Sequence, residues 1–460
     1  MADNATTPRA DAAPDTTAAL PKPAAPSGPA PFQGSRSRKT LASAIEATRY
    51  QREWFADVRR RVAEGEPFAL VSADAPQEIF RAMDIPYVVN QWWASVVSAK
   101  QRSAHNMSLL RARGLPDDSE QYSALALGSV LDDPDDPDAP WGGLPRPTIV
   151  LGEAGRDAHR KVFDVWGEQP GIHTYRLETA VTPSVRPDWW ELMPDRWEEA
   201  IGSARLDLMV DELEGLVRFL EVTTGRTLRE SRLREVMELV NEQEEYNRRA
   251  RDLIAATTPA PLSITDSIPS VMIPQWHRGT AWGRDAARRF HDEVAERVTT
   301  GAAACPGERM RLMWVGTGLW FNMGLYQHFQ DRFGAVFVWS MYLGIAADGY
   351  IRHGDDPMRT LAARFSAFAD QLHTPPWSCE WYVKEARHNQ IDGVVHLVSS
   401  SAPHGYFTTR ALEAAGVPVL EIHADNADAR GWDDAAFTAA IEEFLERRVE
   451  PGAAARRAAG

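Results

Sequence analysis

Short apolar runs alternate with amphipathic segments along two long stretches of the chain. The clearest stretch is 311–351, where apolar runs at 312–315 and 335–339 flank a segment with apolar residues at helical spacing. Runs of this length are too short for helices, and their β-branched and aromatic residues are typical of buried strands. The Gly-Thr-Gly sequence at 316–318 predicts a tight turn, followed directly by a helix. The pattern predicts a β-α-β unit, whose parallel strands present ligand sites at their carboxyl ends.

An earlier stretch repeats this order. Apolar runs occur at 68–73, 85–89, 148–153 and 172–177. Predicted helices between them cover 76–84, 91–114 and 154–166, and the second of these is read as one long helix closed by a glycine. The arrangement predicts a first α/β domain of roughly four strands.

The middle of the chain, 188–255, has apolar residues at the i, i+3, i+4, i+7 spacing of amphipathic helices. A capping-box pattern at 227–230 predicts the start of its second long helix. Residues 256–275 are rich in proline and are predicted to form a bridge, and 276–299 is predicted to be another helix.

After the opening stretch, helices are predicted at 357–372, 378–389, 404–416 and 435–447, with strands at 393–401 and 417–423. The predicted fold class is therefore α/β, with two similar parallel-sheet domains of Rossmann or flavodoxin type that face each other across a cleft and are joined by a helical segment. The predicted boundaries are a disordered tail at 1–38, a first domain at 39–187, a helical connector at 188–300, a second domain at 301–450 and a tail at 451–460.

Composition excludes several classes of protein. The 460 residues are 44% hydrophobic and 25% charged, which is ordinary for a globular protein, and the formal charge of −15 argues against a nucleic-acid partner. The N-terminus lacks the apolar region of a secretory signal, and no stretch resembles a membrane span, so a cytoplasmic location is expected. The two cysteines, Cys305 and Cys379, lie far apart and outside any metal-binding spacing, so no metal site is predicted.

Chemistry is expected where strands end and helices begin, at the joints 152–159 and 399–404, because free N–H groups at helix N-termini favour anions. At these joints the acid–base candidates are Glu153, His159 and His404, and the candidates for binding substrate are Arg156, Ser399, Ser400 and Ser401. The serine hydroxyls are equally expected to cap a helix, and the histidines to be ordinary partly exposed side chains. Trp320, Trp339 and Tyr342 are candidates to line an aromatic acyl pocket, with Tyr342 also a catalytic candidate, although aromatics at these spacings also form cores.

Several segments in the right order resemble the 2-hydroxyacyl-CoA dehydratase and benzoyl-CoA reductase family. They are DAPQEIFRAMDIPYVV, LPRPTIVLG, MWVGTGLWFNMGLYQHFQDRFGAVFVWSMY, VKEARHNQIDGVVHL and AAGVPVLEIHAD, spread over about 66–447. The resemblance implies a subunit with two α/β domains, usually in a heterodimer, that binds an acyl-CoA beside a [4Fe-4S] cluster. It also implies a separate ATP-dependent activator that supplies one electron at low potential.

The family holds its cluster with cysteines at three places. In this chain the equivalent places hold Tyr122, Arg156 and Ala402, which do not bind iron as thiolates do. We therefore predict that the chain binds no cluster of its own, and that any cluster belongs to a partner subunit.

Three functions follow as hypotheses. The first is a subunit, without its own cluster, of a benzoyl-CoA reductase-like or 2-hydroxyacyl-CoA dehydratase-like enzyme, which helps to form the acyl-CoA cleft beside a cysteine-bearing homologous subunit. The 16 tryptophans tilt this hypothesis toward an aromatic acyl group. The second is a cluster-free enzyme that performs acid–base chemistry on a CoA thioester. The third is a degenerate acyl-CoA-binding or assembly subunit.

Overall fold

Two four-stranded, all-parallel sheets organise the fold, and both have the same strand order. The computed structural model describes residues 34–115, 121–153, 157–178, 188–373, 375–399 and 405–459. The first sheet has the order β2-β1-β3-β4 and the second has the order β6-β5-β7-β8. The predicted α/β class with two similar parallel sheets is thereby confirmed.

The strands match the short apolar runs of the sequence. They are β1 Ala69–Val71, β2 Tyr87–Val89, β3 Ile149–Glu153, β4 His173–Leu177, β5 Met310–Val315, β6 Ala335–Ser340, β7 Gly393–Val398 and β8 Val419–His423. All residues of β1, β2, β5 and β6 are buried, because helices cover both faces of each sheet. Within the sheets Ala69 of β1 pairs with Ile149 of β3, and Leu312 of β5 pairs with Gly393 of β7.

Helices account for most of the remaining described residues. In the first half they are α1 Ala42–Ala63, α2 Gln77–Ala82, α3 Asn90–Ala99, α4 Ser103–Ala112, α5 Gln121–Leu131 and α6 Asp157–Gly167. The middle of the chain contains α7 Trp189–Leu192, α8 Trp197–Ile201, α9 Ser203–Thr224, α10 Glu230–Ala256, α11 Ile264–Trp276 and α12 Ala281–Thr300. The second half contains α13 Leu325–Phe333, α14 Met341–Asp348, α15 Pro357–His373, α16 Pro375–His388, α17 Gly405–Ala414, α18 Asp434–Phe444 and α19 Glu450–Ala459.

Two predictions about where helices form were wrong, one in the first domain and one in the connector. The single long helix predicted at 91–114 is two helices, α3 and α4, separated at Gln101, whose φ of 59° lies in the left-handed region. The predicted proline-rich bridge contains α11, which accommodates Pro269 and Pro274 within its length. Its buried apolar residues recur at helical spacing, so packing outweighs the local cost of the prolines.

Three helix boundaries also differ from the predictions. The helix after the Gly-Thr-Gly turn begins only at Leu325, so 316–324 forms a longer loop at the end of β5. The capping box at 227–230 does not form, because α10 begins at Glu230 and the residue before it, Arg229, makes no side-chain cap. Near the end of the chain, a π-helical turn at Leu445–Val449 leads into α19, where a tail was predicted.

The start of the described chain is anchored to the second half of the protein. Most of the tail predicted at 1–38 lies outside the described residues, but Ser35 donates hydrogen bonds from its backbone N and its Oγ to Oδ1 of Asn322, at 2.9 and 2.8 Å. Thr40 likewise donates to both carboxylate oxygens of Asp266 at 2.6 Å. Ser35, within the predicted tail, is therefore held against the second half of the protein. No helix in the described ranges is both long and apolar enough to cross a membrane.

Candidate functional site

The strand order defines where a ligand site is expected in each sheet. In each sheet the chain starts in a middle strand, β1 or β5. It then forms the neighbouring strand on one side, β2 or β6, and later the neighbouring strand on the other side, β3 or β7. In such sheets the connections diverge at the carboxyl ends of the two middle strands and leave a crevice there. The two predicted joints follow β3 and β7, so the sequence placed both of them at these switch points.

The turn after β5 requires glycine at its first position. Gly316 has a φ of 98°, and a Cβ at this position would lie 2.6 Å from the carbonyl oxygen of Leu397 in β7. A side chain is therefore excluded by both the backbone conformation and the neighbouring strand. The loop that begins here carries Thr317 and Trp320 at the carboxyl end of β5, one of the two middle strands.

Most residues predicted at the two joints lie at or beyond the limits of the described structure. Glu153 is the last residue of β3 and His159 lies in the first turn of α6, with only their backbones described. The predictions that fall outside the described residues are Arg156, Ser400, Ser401, Ala402 and His404. Ser399 follows β7 directly and is buried.

Two of the predicted aromatic residues do come together, and Tyr122 joins them from the other half of the protein. The rings of Trp320 and Tyr342 lie 5.7 Å apart, and the Tyr342 hydroxyl accepts a hydrogen bond of 2.7 Å from the backbone N of Gly318. Tyr122, at the start of α5, is buried against them and donates a hydrogen bond of 2.7 Å to the carbonyl oxygen of Gln91. Burial raises the pKa of both tyrosines well above the ordinary value, so both hydroxyls are protonated at neutral pH.

The loop after β8 completes this group with residues that were not singled out from the sequence. Asn426 is fully buried and its backbone O accepts a hydrogen bond from the backbone N of Trp320. Beside it, Asp425 lies close enough to Tyr122 to raise the pKa of the phenol further. Burial also raises the pKa of Asp425 itself, although its carboxylate accepts hydrogen bonds from the backbone N of Ala427 and of Asp428. We call Tyr122, Thr317, Trp320, Tyr342, Asp425 and Asn426 the carboxyl-edge cluster.

Several polar atoms of the carboxyl-edge cluster are buried without a partner. Both side-chain atoms of Asn426 and the Oγ1 of Thr317 make no hydrogen bond to any described residue. The indole N–H of Trp320 lies near the Tyr122 hydroxyl but does not reach hydrogen-bond geometry. A buried polar group without a partner is energetically unfavourable. Such groups occur mainly where a ligand or ordered water supplies the partner. The cluster therefore has three buried donors without a partner among the described residues, the Asn426 amide, the Thr317 hydroxyl and the Trp320 indole.

Trp339 was a candidate to line an aromatic acyl pocket, but its side chain lies in the core. Its side chain is fully buried, and its Nε1 donates a hydrogen bond of 2.5 Å to Oε2 of Glu385. The ring packs at 5.7 Å from Trp381 on α16. These contacts place Trp339 in the core behind β6, where it supports the sheet.

Replacing Trp339 with phenylalanine should lower the free energy of unfolding by about 1–3 kcal/mol, because the buried Glu385 carboxylate loses a donor. Urea unfolding followed by circular dichroism measures this change. The Trp320→Phe variant is the control, since it removes the same atoms from an indole that makes no hydrogen bond. Equal losses in the two variants would contradict the role assigned to the Trp339 hydrogen bond.

The two cysteines do not supply the ligands of an iron–sulfur cluster at this site. Cys305 precedes β5, at the opposite edge of the sheet, and its Sγ lies 3.5 Å from the carbonyl oxygen of Gln330. Cys379 is buried in α16, where its thiol interacts with Thr408 in α17. Burial raises the Cys379 pKa to about 11, so this side chain is a thiol and not a thiolate. A cluster is held by several thiolates, and this donor set does not fit one.

A separate group of polar residues lies away from the switch points. The ligand atoms of His105, Asp132 and Asp136 are within 4.8 Å of one another. Arg102 already forms ion pairs with both carboxylates, and the histidine Nε2 lies 2.8 Å from Asp132. A cation of the chain itself, Arg102, therefore already lies against both carboxylates.

Two four-stranded parallel sheets, with a polar and aromatic cluster at the carboxyl edge of the second, define an α/β protein with a candidate ligand site at that switch point. The model of the family 2-hydroxyglutaryl-CoA dehydratase, D-component, matches residues 72–447, and the chain belongs to this family. The resemblance noted from the sequence is thereby confirmed.

Characterised relatives are similar along most of the chain. The (R)-phenyllactyl-CoA dehydratase alpha subunit of Clostridium sporogenes is 23% identical over 391 residues, covering 84% of this chain and 90% of that protein. The (R)-2-hydroxyisocaproyl-CoA dehydratase alpha subunit of Clostridioides difficile is 20% identical over 409 residues, covering 86% and 93%. The lactoyl-CoA dehydratase subunit alpha of Anaerotignum propionicum is 21% identical over 245 residues, covering 52% and 57%.

Proposed function

We propose that this chain is a subunit of a 2-hydroxyacyl-CoA dehydratase-like complex, in which it forms part of the acyl-CoA cleft and holds no iron–sulfur cluster of its own. The relatives are named as alpha subunits of dehydratases for three different 2-hydroxyacyl-CoA thioesters, which supports dehydration over reduction of an aromatic ring. The phenyllactyl relative supports an aromatic acyl group, as does the aromatic pair formed by Trp320 and Tyr342.

The observation that carries the proposal is the position of Tyr122. It occupies the place of a cluster cysteine in our alignment, and it lies buried between the two halves of the protein with its hydroxyl bonded to Gln91. A phenol with a raised pKa stays neutral, so it fills this place as a hydrogen-bonding group and not as an iron ligand. A cluster used in the reaction would then belong to a cysteine-bearing homologous subunit, reduced by an ATP-dependent activator.

In this proposal, the residues of the carboxyl-edge cluster are the groups of this chain that act on the substrate. Thr317 and Asn426 have unpartnered donors, and the Tyr342 hydroxyl keeps its proton to donate, because it accepts from Gly318. Donors fixed in a buried site stabilise negative charge that develops on a thioester carbonyl oxygen. The aromatic rings of Trp320 and Tyr342 exclude water from the acyl group.

Iron and acid-labile sulfide should be measured on protein purified without oxygen, both alone and co-expressed with a cysteine-bearing family member. We expect no stoichiometric iron on the chain alone, and iron only in the complex. The double variant Cys305→Ser with Cys379→Ser is the control. It contains no cysteine, so any iron that it retains is adventitious. A stoichiometric cluster on the wild-type chain alone, lost in the double variant, would contradict the proposal.

A cluster-free enzyme is the second candidate. Asp425 favours it, because its raised pKa and its position beside Tyr122 suit a carboxyl group that transfers protons. Turnover of a CoA thioester by the isolated, iron-free chain would support this candidate. If the chain bound acyl-CoA without turnover, either alone or in the complex, the remaining candidate would be a degenerate acyl-CoA-binding subunit.

A further inference from the structure

Three arginines are almost completely buried where the connecting helices meet both halves of the protein. Arg278 lies between α11 and α12, Arg352 follows α14, and Arg364 lies in α15; each is about 1% exposed. The ring of Tyr350 lies between two of them, with the guanidinium carbons of Arg278 and Arg364 at 5.0 and 5.2 Å from its centroid. We call these three residues the arginine cluster.

The carboxylates around the arginine cluster do not balance its charge. Glu78 bonds to Arg278 at 2.7 Å and also to Arg364, so one carboxylate serves two cations. Glu244 is fully buried nearby, but burial raises its pKa well above the ordinary value and keeps it neutral. Asp348 is engaged by Arg251 and Lys384. Of these three carboxylates, only that of Glu78 is ionised and bonded to the arginine cluster, so one bonded carboxylate serves three guanidinium groups.

Arg352 is the least satisfied member. Its Nη1 donates to the carbonyl oxygen of Ile351 at 2.5 Å, but its Nε and Nη2 meet no partner among the described residues. Burial, together with Arg364 and Arg248, lowers its pKa to about 9. The Nε of Arg364 and the Nη1 of Arg278 are also buried without a partner. Buried charges of one sign persist where a counter-charge is supplied, because an unpaired buried ion is strongly unfavourable.

We propose that the arginine cluster, with Arg352 as its principal ligand, binds a compact oxyanion of the phosphate class. Guanidinium groups present N–H donors in a fixed plane that matches phosphate oxygens, and the neutral carboxyl of Glu244 adds a donor that an oxyanion accepts. Several guanidinium N–H groups without a partner match the several oxygens of an oxyanion better than a halide. The phosphoryl group is either a free phosphate or part of a larger ligand such as CoA. This inference does not rest on the proposed function, because it concerns residues outside the carboxyl-edge cluster.

The first test uses the wild-type protein as purified. After extensive dialysis into chloride, the protein is denatured and the released anions are measured by ion chromatography; about one phosphate per chain is expected if the anion is trapped. If the site empties on dialysis, phosphate should raise Tm by about 2–4 °C relative to chloride at equal ionic strength. A rise with CoA but not with phosphate assigns the phosphoryl group to a larger ligand only if Arg352→Met abolishes that rise, because CoA bound at the carboxyl-edge cluster would raise Tm in the variant as well.

The variants locate the effect. Arg352→Met should abolish phosphate release and the response of Tm, whereas Arg352→Lys should retain charge but weaken the response at least several-fold. Arg249→Gln is the matched control, because Arg249 in α10 is exposed and lies outside the arginine cluster, with an ion pair to Glu245 and its guanidinium over the ring of Tyr246. If the wild-type protein neither releases phosphate nor responds to phosphate or CoA beyond chloride, the proposal is overturned. The same holds if Arg352→Met and Arg352→Lys respond like the wild type.

Discussion

Replacing Glu78 with alanine should lower the free energy of unfolding by about 3–5 kcal/mol, because it leaves two buried arginines without their carboxylate. Glu78 in α2 is completely buried, and it accepts hydrogen bonds from Nε of Arg278 and Nη2 of Arg364. These partners lie 200 and 286 positions away in the chain, so the carboxylate joins the first half to the connector and to the second half.

The pH dependence gives this prediction a second readout. Burial alone would raise the pKa of Glu78, but Arg278 and Arg364 outweigh it, and the pKa is lowered. The stabilisation is therefore complete above the ordinary glutamate pKa of about 4.3 and is lost as the pH falls through the lower folded value. The difference between wild type and Glu78→Ala should shrink as the pH falls below that range.

Urea unfolding at pH 7 measures the effect of Glu78→Ala, and Glu78→Gln separates loss of charge from loss of volume. Glu230→Ala is the matched control: its carboxylate pairs with Arg234 at 3.0 Å but is 74% exposed. An exposed pair of this kind contributes about 0.3–0.5 kcal/mol. A Glu78→Ala variant as stable as Glu230→Ala would show that the buried ion pairs contribute no net stability.

The strands were predictable because a sheet covered on both faces leaves a direct trace in the sequence. In β5 and β7 nearly every position is apolar, and no helix of that length could bury such a run. The repeated pattern of the two halves predicted two similar sheets, but not the order of the strands within them. The fold class could therefore be predicted from local sequence, although residue identity between the halves is low.

The failures occurred where distant contacts outweigh local preference. The break at Gln101 has no glycine or proline to mark it, and its side chain donates to the carbonyl oxygen of Phe321 in the other half. The helix α11 contains two prolines, but Ile264, Ile268 and Val271 are buried along one face. The burial of Glu78 was equally hidden, since a single glutamate in an amphipathic segment looks like a solvent-exposed charge.

The candidate site was predicted in part for the same reasons. Trp320 and Tyr342, predicted to line an aromatic pocket, follow β5 and β6 and contact each other, while their role in binding a ligand stays a prediction. Trp339 is separated from Tyr342 by only three positions but points into the core. Asn426 follows the last strand, but no pattern distinguishes a buried amide there from an ordinary turn residue.

Replacing Asn426 with leucine should weaken acyl-CoA binding or turnover by the complex roughly ten- to hundredfold, because each lost hydrogen bond in a buried site costs about 1–3 kcal/mol. The same change should leave the stability of the chain unaltered or raise it, since the buried amide has no partner in the described structure without ligand. Thr317→Val is a second variant with the same expectation, because valine matches threonine in shape and removes only the unpartnered hydroxyl.

The opposite signs of the two effects distinguish a ligand site from a structural one. The matched control is Asn106→Leu: Asn106 is also buried, but its Nδ2 donates hydrogen bonds to the carbonyl oxygen of Leu125 at 2.9 Å and to Ser129 at 2.8 Å. We expect this control to lose stability, because it leaves those acceptors unpaired. Isothermal titration of each complex with an acyl-CoA, beside urea unfolding of each chain, measures both quantities. If Asn426→Leu lost stability as Asn106→Leu does and bound acyl-CoA normally, the carboxyl-edge cluster would be part of the core and the acyl group would bind elsewhere in the cleft.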